Sequence, residues 1–473
     1  MISKWKERIW IAVVSLIVAA CALPFGSVTA TWSFSLRMAL ALAVLASVMA
    51  GLPRKISGQA KVVLGCVIGV ALLGALQMLP APVALVDLVS PGHAYLAHQA
   101  AEVLGEADRW IPLTVSRELT VASIAAWLAV GCALLAGIFA GRLSTRYWVY
   151  IAAAVSALFQ VLYGLGMWWN QRSVILGREV VGDLSRVRGT FVNPDHFSLH
   201  LEIVLALVPA VAWWMWRETQ RRMGTGRAVI VMLPLAAYWM LLTGVVALSG
   251  SRAGLAAVAV GLAAQGLCLL VWGKDRISGG IVLGGGTVAL FGLVLMTGGR
   301  GFSRLMGTTA YQVTADLRWT VIRSSLELWQ AYPVFGSGLG TFVVAYPRFQ
   351  PAAAEGGVWR HAHNGWVEML ATTGLVGIAL LVIGLAMLAL GLRNTLIAGE
   401  RTRHRAVALA GLGVLATIAF HESVEFGLTM PANATLAAVL VGVGLGAPVR
   451  RLAMSTSQRP GPSLSLPRHD DPA

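Results

Sequence analysis

The sequence predicts an all-α, polytopic membrane protein with about twelve transmembrane helices and a large extracytoplasmic loop that carries short amphipathic helices. Three observations predict this class. Of the 473 residues, 57% are apolar and 12% are charged, with a mean hydropathy of +0.74, whereas soluble domains are about a quarter charged. Apolar runs of about 20 residues recur along the chain, and this is the length that crosses a bilayer as a helix. Basic residues lie in alternate connections between the runs.

The apolar runs predict one transmembrane domain over residues 1–451. In chain order they lie at 9–27, 33–52, 62–80, 119–140, 147–167, 196–216, 228–248, 253–273, 279–297, 366–392, 406–420 and 431–448. The first run could instead be a signal peptide, since basic residues precede it and Val28, Thr29 and Ala30 resemble a cleavage site, but its length favours a retained helix. The Pro- and Ser-rich residues 452–473 predict a disordered cytoplasmic tail.

The distribution of Lys and Arg predicts the orientation, because cytoplasmic connections are enriched in both. With a cytoplasmic N-terminus, every inside connection carries such residues, for example Arg142 and Arg146, or Arg401 and Arg403. We therefore expect a multi-pass protein of the bacterial inner (cytoplasmic) membrane with both termini in the cytoplasm. The long connections 81–118 and 298–365 are then periplasmic.

The second long connection contains the segment TADLRWTVIRSSLELWQ, which predicts an amphipathic helix. Leu317, Val321, Ile322 and Leu328 would form its apolar side, and the helix would roof a cavity at the membrane surface. The nearby segment VFGSGLGTF, with glycines at 336, 338 and 340, resembles a phosphate loop only weakly, because no strand precedes it. We interpret it as a tight turn after Pro333.

Topology also explains the net charge of +15, because the basic residues are scattered between apolar runs and do not form a nucleic-acid-binding arm. We therefore expect no nucleic-acid partner. The four cysteines all lie within apolar runs, where thiols pack as small hydrophobic groups. The sequence predicts no cofactor and no metal site.

The residues best suited to chemistry lie at the predicted start of the tenth span. Arg360, His361, His363, Asn364 and Glu368 follow one another within nine residues at a membrane boundary. A histidine there can act as a general base, because its ordinary pKa of about 6.5 lies near neutral pH. The alternative is structural: Asn364 caps the helix and the histidines lie in headgroup water.

Four arginines face the same predicted side: Arg186, Arg188, Arg252 and Arg318. The planar guanidinium matches phosphate oxygens and stays charged when partly desolvated. For any single arginine the alternative is a side chain that reaches out to lipid headgroups.

Further along, HESVE contributes His421 and Glu422 to the predicted substrate-binding set. It lacks the second histidine of a zinc-protease HExxH motif. A zinc site made by His361, His363 and His421 stays open, although the spacing does not require one.

The block HNGWVEMLATTGLVG resembles a family signature. It contains His363, Asn364, nine residues, Gly374, two residues and Gly377, and so is similar to the pattern H-[NSQ]-x9-G-xx-[GTY] of bacterial O-antigen ligases. The segments RGTFVNPDHF and SGSRAGL also resemble the superfamily of O-antigen ligases and O-antigen or exopolysaccharide polymerases. The resemblance covers a ligase- or polymerase-like core at about 186–390.

This resemblance implies a membrane glycosyltransferase that takes a preassembled glycan from undecaprenyl diphosphate. Metal-free catalysis fits the absence of paired outward carboxylates such as a DxD motif, and no nucleotide is needed because the diphosphate linkage supplies the driving force. The resemblance also implies that His363 activates the acceptor hydroxyl and that arginines among Arg188, Arg252 and Arg318 hold the diphosphate. His363, Arg252 and Arg318 are the predicted catalytic residues. The predicted substrate-binding residues are Arg186, Arg188, Asn193, His196, His361, Asn364, Glu368, His421 and Glu422.

Several functions stay open at this point. HESVEF and MPAN favour a polymerase of O-antigen or exopolysaccharide repeat units over a ligase that transfers the glycan to lipid A core. The expected partners are the lipid-linked donor, a saccharide or lipid A core acceptor and membrane lipids, with a chain-length regulator and a flippase as further candidates. A twelve-helix transporter is the alternative from another class, but the longest loop lies on the wrong side for it. An intramembrane metalloprotease would require zinc.

Overall fold

Helices form most of the described chain. The computed structural model describes residues 4–51, 56–105, 110–172, 174–180, 185–296, 317–354 and 357–449. The first helices are α1 (Lys4–Ala20), α2 (Ala30–Met49), α3 (Gly58–Gln77), α4 (Val83–Val89), α5 (Pro91–Leu104), α6 (Arg117–Arg142) and α7 (Tyr147–Trp169). The next are α8 (Pro194–Leu205), α9 (Val208–Met223), α10 (Thr225–Leu248), α11 (Arg252–Val271), α12 (Arg276–Gly280) and α13 (Gly286–Met296). The last are α14 (Leu317–Ala331), α15 (Phe342–Ala345), α16 (Gly365–Ala398), α17 (Thr402–His421) and α18 (Pro431–Gly446).

Nine helical segments within the described residues are long and apolar enough to cross a membrane. They are Ala30–Met49, Gly58–Gln77, Arg117–Arg142, Tyr147–Trp169, Pro194–Met223, Thr225–Leu248, Arg252–Val271, Gly365–Ala398 and Thr402–His421. Two shorter apolar helices lie at Arg276–Leu290 and Pro431–Gly446. The predicted fold class, an all-α polytopic membrane protein, is thereby confirmed. Helix α1 packs into the same core through Trp10, Ile11, Val14 and Val18.

Regular strand structure is minor in the described ranges. Strand β1 (Pro80–Pro82) pairs antiparallel with β2 (Trp110–Pro112), and these two strands bracket α4 and α5 in the first long connection. Strand β3 (Val174–Ile175) pairs with β4 (Arg178–Glu179) after α7. Both pairs lie in connections and not in the helical bundle.

Small residues bring α6 and α18 into backbone contact. A Cβ atom on Gly137 would lie 2.2 Å from Val439 O, and one on Gly446 would lie 2.0 Å from Ile138 O. Membrane helices often associate through such small residues, because lipid tails provide no hydrophobic force between helices. Helix α18 therefore occupies the centre of the bundle although it is only 16 residues long.

Helix α16 is interrupted at Gly374, whose φ of 63° and ψ of −164° are not helical. The turn formed by residues 332–340 inserts at this break: Leu375 N–H donates to Pro333 O at 3.0 Å, and Ser337 N–H donates to Ala371 O at 3.0 Å. Gln77 of α3 joins both partners, since its Nε2 donates to Phe335 O at 2.6 Å and to Thr372 O at 3.1 Å. The predicted tight turn is confirmed, with positive φ at Gly336, Gly338 and Gly340.

The predicted amphipathic helix of the second long connection is α14. Val321 and Leu328 are fully buried, as expected. The prediction was wrong for Leu317, which is 43% exposed, because this residue begins the helix and lies outside its contact with residues 342–354. Residues 297–316 of this connection and the predicted tail at 452–473 lie outside the described residues.

The connections segregate to two ends of the bundle. At one end, Gly365 bonds to Glu422 O and Arg186 bonds to Ser249 O; we call this the site end. At the other, Arg405 bonds to Gly273 O and Gly399 bridges to Val449; we call this the opposite end. The histidine-rich segment before α16 therefore lies at one end, and the short basic connections lie at the other.

Candidate functional site

Three segments meet at the site end: residues 359–368, the turn 422–426 after α17, and the start of α8. The backbone N–H of Gly365 donates to Glu422 O at 2.8 Å and to Glu425 O at 3.1 Å. Asn364 Oδ1 accepts from Val367 N–H at 3.0 Å, and its Nδ2 donates to Ser423 O at 2.7 Å. Asn364 therefore caps α16 and also attaches the helix start to the following turn.

Phe426 lies at the centre of three histidines, two from residues 359–368 and one from the start of α8. His361 stacks on its ring at 4.3 Å between ring centroids, while His196 and His363 meet it edge-on at 4.7 and 4.9 Å. Aromatic pairs at these separations stabilise one another and restrict ring orientation. The packing around Phe426 therefore fixes the positions of all three imidazoles.

His363 faces a buried carboxylate. Its Nδ1 lies 3.6 Å from Glu425 Oε2, beyond hydrogen-bond length, and within the described residues neither atom has a hydrogen-bond partner. The other carboxylate oxygen of Glu425 accepts from Arg318 at 2.6 Å, and Glu425 is only 1% exposed. The backbone of His363 has a φ of 54°, a conformation that costs most L-residues about 1–2 kcal/mol and is concentrated at functional sites.

His361 has its own carboxylate partner. Its Nδ1 lies 3.0 Å from Glu368 Oε1, and Glu368 Oε2 accepts from the Ala362 N–H at 3.0 Å. Glu368 is in the first turn of α16, where a negative charge is stabilised by the helix dipole. The segment that carries both histidines is thus tied to the helix that it precedes.

A cavity of about 640 Å³ runs from His361 into the bundle. Its wall is mostly apolar and comes from the helices α2, α3, α6, α16, α17 and α18, with side chains such as Val63, Leu381 and Val441. Its polar end is formed by Arg37, Arg360, His361, Glu368 and Glu422. The cavity therefore combines a long apolar interior with a polar opening at the site end.

Glu422 lines the polar end of this cavity while most of its surface is buried. Burial raises the pKa of its carboxyl to about 8, against the lowering effect of His421. Its Oε1 accepts from Leu428 N–H at 2.8 Å. A carboxyl with this pKa carries a proton at neutral pH and can donate a hydrogen bond into the cavity.

A second ion pair lies at the start of α8. Arg186 donates to Asp195 Oδ1 at 2.7 Å and to Ser249 O at 2.5 Å. Asn193 caps α8, since its Oδ1 accepts from Asp195 N–H at 2.8 Å. Ser251 also bonds to Asp195, and the positive charge of Arg318 acts on the same carboxylate. The Arg186–Asp195 pair therefore interacts electrostatically with the Arg318–Glu425 pair, through the charge of Arg318 on Asp195.

His421 and His196 are enclosed by protein. His421 Nδ1 lies 2.8 Å from Glu202 Oε2 with both side chains fully buried, and Ser198 donates to Glu202 Oε1 at 2.6 Å. The His196 imidazole is 4% exposed, and its Nε2 has no hydrogen-bond partner within the described residues. These side chains therefore support the cluster from inside the bundle.

The remaining two predicted arginines lie beside this cluster. Arg188 is 7% exposed and lines a small separate cavity with Trp168, Arg172 and Arg186. Arg252 is the first residue of α11 and is exposed. It directly follows Ser251, which bonds to Asp195. The structure thus brings His361, His363, Asn364, Glu368, Glu422 and Arg318 together, and joins Arg186, Asn193, His196 and His421 to them.

The zinc alternative requires three ligands that converge. In the described ranges, no group of three His, Cys, Asp or Glu side chains is placed to hold a metal ion. His421 is directed to Glu202 and not to the other two histidines of that alternative.

Five residues of this site were missing from the sequence-based candidates: Arg37, Asp195, Glu202, Glu425 and Phe426. Arg37 and Glu202 each lie within an otherwise apolar span, and an ionisable residue inside a membrane helix is a strong indicator of function. That signal could have identified both. Phe426 carries no such signal, because its role depends on packing alone.

Fold and site together define a polytopic membrane protein with a histidine, carboxylate and arginine cluster at the mouth of an apolar cavity. A family model described as O-antigen ligase matches residues 236–382. The match includes Arg252, Arg318, His363 and Gly374, and it confirms the resemblance to the O-antigen ligase and polymerase superfamily. No curated protein matches the chain significantly. The matched region is about a third of the chain, and it supports an enzyme of the O-antigen ligase or polymerase type.

Proposed function

We propose that this enzyme transfers a preassembled glycan from undecaprenyl diphosphate to an acceptor hydroxyl, and that it polymerises O-antigen or exopolysaccharide repeat units. The observation that carries the proposal is the cavity of about 640 Å³, whose apolar interior suits a polyprenyl chain and whose polar opening suits a charged head group. The site end would face the periplasm. The basic residues of the opposite end support this orientation.

In the proposed reaction His363 is the general base. It takes the proton of the acceptor hydroxyl while that oxygen forms a bond to the anomeric carbon of the donor. The bond from this carbon to the diphosphate oxygen breaks, and its electron pair remains on the diphosphate. Glu425 lies behind the imidazole at 3.6 Å, where its negative charge stabilises the imidazolium that forms.

Cationic side chains would stabilise the leaving diphosphate. Arg318 is 40% exposed beyond its bond to Glu425, so part of its guanidinium can meet a substrate. Arg252 and Arg186 lie on the same side, and Arg37 and Arg360 line the cavity mouth. Arginine charge at this position neutralises the phosphate oxygens, so the proposed reaction requires no metal. The diphosphate linkage supplies the driving force, so it requires no nucleotide.

The acceptor would bind near His361, Glu368 and Glu422, which line the cavity and offer both donors and acceptors. Asn193 and Asn364 would hold this arrangement as helix caps, and the buried His196 and His421 would support it from inside the bundle. Arg188 would act at the neighbouring small cavity.

A ligase that transfers the finished glycan to lipid A core is the second candidate, because the matched family model is described as O-antigen ligase. The test is the set of lipid-linked intermediates in a deletion strain complemented with wild type, His363→Ala or His98→Ala. His98 is a matched control, because its side chain is 62% exposed and pairs with Asp87 away from the cluster. Single lipid-linked repeats accumulating in the His363→Ala strain alone would support a polymerase. Accumulation of long lipid-linked chains without transfer to lipid A core would instead show a ligase. Full complementation by His363→Ala would show that His363 is not a catalytic residue.

A further inference from the structure

A second cluster of ionisable side chains lies at the opposite end of the bundle, about Arg146. It consists of Thr145 and Arg146 between α6 and α7, and Arg401, Arg403 and His404 at the start of α17; we call it the basic pocket. Arg146 is 5% exposed and His404 is 4% exposed. The charges of Arg146, Arg401 and Arg403 all act on the His404 imidazole.

The basic pocket places like charges beside one buried cation: Arg146 is buried, Arg403 is partly buried and Arg401 is exposed. Burial and the charge of Arg403 lower the pKa of Arg146 to about 10. Its Nη1 donates to Gly141 O at 2.5 Å. In the part of the chain that the structure describes, none of the three arginines forms an ion pair with a carboxylate. A buried cation such as Arg146 is costly without a counter-charge, so the arrangement calls for an anion.

Several polar atoms of the basic pocket lack a hydrogen-bond partner although they are buried. Among the described residues these are Arg403 Nε, Thr145 Oγ1 and His404 Nδ1, and Arg142 Nε beside them. The His404 imidazole also forms a hydrogen bond with the backbone of Pro448. An unpaired buried donor costs about 1–3 kcal/mol. Arg403 and His404 lie close enough to Arg146 for their charges to interact, and Thr145 precedes Arg146 in the chain, so these unpaired atoms indicate a ligand that accepts several hydrogen bonds and carries negative charge.

The position of the basic pocket indicates where that ligand comes from. Tyr147 and Trp148 directly follow Arg146 and are each 48% exposed. Aromatic side chains of this kind are enriched at membrane–water interfaces. Basic pockets between membrane helices at that level bind the head groups of anionic lipids.

We propose that the basic pocket binds the phosphate group of an anionic membrane phospholipid. The phosphate would accept hydrogen bonds from Arg403, Thr145 and Arg146, and Tyr147 and Trp148 would contact the glycerol and upper acyl region. The site is separate from the candidate active site, because it lies at the other end of the helices. Lipid binding there would join the α6–α7 connection to the start of α17, and His421 ends that same helix at the active-site cluster.

The test uses the full chain in an uncharged detergent and measures its thermal unfolding temperature with added lipid. The probes are dioctanoyl phosphatidylglycerol, dioctanoyl phosphatidylcholine and inorganic phosphate. The variants are Arg403→Gln and, as a matched control, Arg227→Gln, which removes one exposed charge at the same end of the bundle. Without lipid, Arg403→Gln should be as stable as wild type or more stable, because it removes a repelled charge.

We expect phosphatidylglycerol to stabilise wild type and Arg227→Gln, with an affinity about tenfold weaker in Arg403→Gln because a charged hydrogen bond is lost. Phosphatidylcholine should have little effect. Equal stabilisation of Arg403→Gln by phosphatidylglycerol would overturn the proposal. If inorganic phosphate raised the unfolding temperature as much as phosphatidylglycerol does, the pocket would bind free anions, and the proposal that its ligand is a lipid would be wrong. The proposal would also be wrong if phosphatidylglycerol had no effect and the double variant Asp470→Asn/Asp471→Asn were less stable than wild type. That result would show that the acidic C-terminal segment occupies the basic pocket.

Discussion

Gly374 is the position where the family signature and the fold depend on one another most directly. Its φ of 63° and ψ of −164° belong to a region that is essentially restricted to glycine and costs other residues about 1–3 kcal/mol. A Cβ atom there would lie 2.3 Å from Val334 O and 2.6 Å from Gly336 N. Both neighbours are backbone atoms of the inserted turn, so they cannot rotate away, and overpacking of this kind costs about 1–3 kcal/mol. Gly374→Ala should therefore destabilise the protein by about 2–6 kcal/mol.

The assay is thermal unfolding of purified Gly374→Ala beside wild type in one detergent. Gly65→Ala is the matched control, because Gly65 lies within α3 and a Cβ there meets no atom within 4 Å. We expect Gly65→Ala to unfold at the wild-type temperature or slightly above it, since alanine favours a helix by about 1 kcal/mol over glycine. Gly374→Ala should unfold several degrees lower and lose activity. Equal unfolding temperatures for the two variants would refute the conclusion that the turn at 332–340 requires glycine at the break.

Two further predictions concern the carboxylates of the site. Glu425→Gln removes the charge behind His363 and weakens the bond from Arg318, so the rate of glycan transfer should fall about ten- to hundredfold. The control is Glu102→Gln, which changes an exposed carboxylate. An unchanged rate in Glu425→Gln would show that this carboxylate does not assist the imidazole. The pKa of Glu422 is about 8 in the folded protein and about 4.5 in the unfolded chain. The folded state therefore holds this proton more tightly, and the contribution of Glu422 to stability falls as the pH rises from about 4.5 to about 8. Thermal unfolding of Glu422→Gln should lose that part of the pH dependence between pH 5 and 8, whereas a profile identical to wild type would contradict the burial argument.

Helix positions were predictable from sequence because membrane residence imposes long apolar runs. Each predicted apolar run overlaps one or more described helices, and nine helical segments among the described residues are long and apolar enough to cross a membrane. The break within α16 was not predicted, because glycine is tolerated within membrane helices and the interruption depends on the turn formed by residues 332–340. Leu317 was misplaced for a related reason: periodicity predicts an apolar side but not where the contact ends.

The candidate site was predictable in its residue types but not in its pairings. His361, His363, Asn364 and Glu368 were identified because ionisable groups cluster at a span boundary. Their partners come from segments distant in sequence, such as Glu425 for His363 and Arg318. No periodicity links those positions, so the pairs emerge only when α14, α16 and α17 pack together.

The central claim is that His363 activates the acceptor at the mouth of the apolar cavity. Its most direct test is glycan transfer by purified protein from an undecaprenyl diphosphate-linked repeat unit, with wild type, His363→Ala and the exposed control His98→Ala at matched thermal stability. The account predicts that His363→Ala loses about 10²- to 10⁴-fold in rate, the usual contribution of a general base, while His98→Ala retains the wild-type rate. Transfer by His363→Ala at the wild-type rate would contradict the account and leave this histidine a structural role beside Phe426.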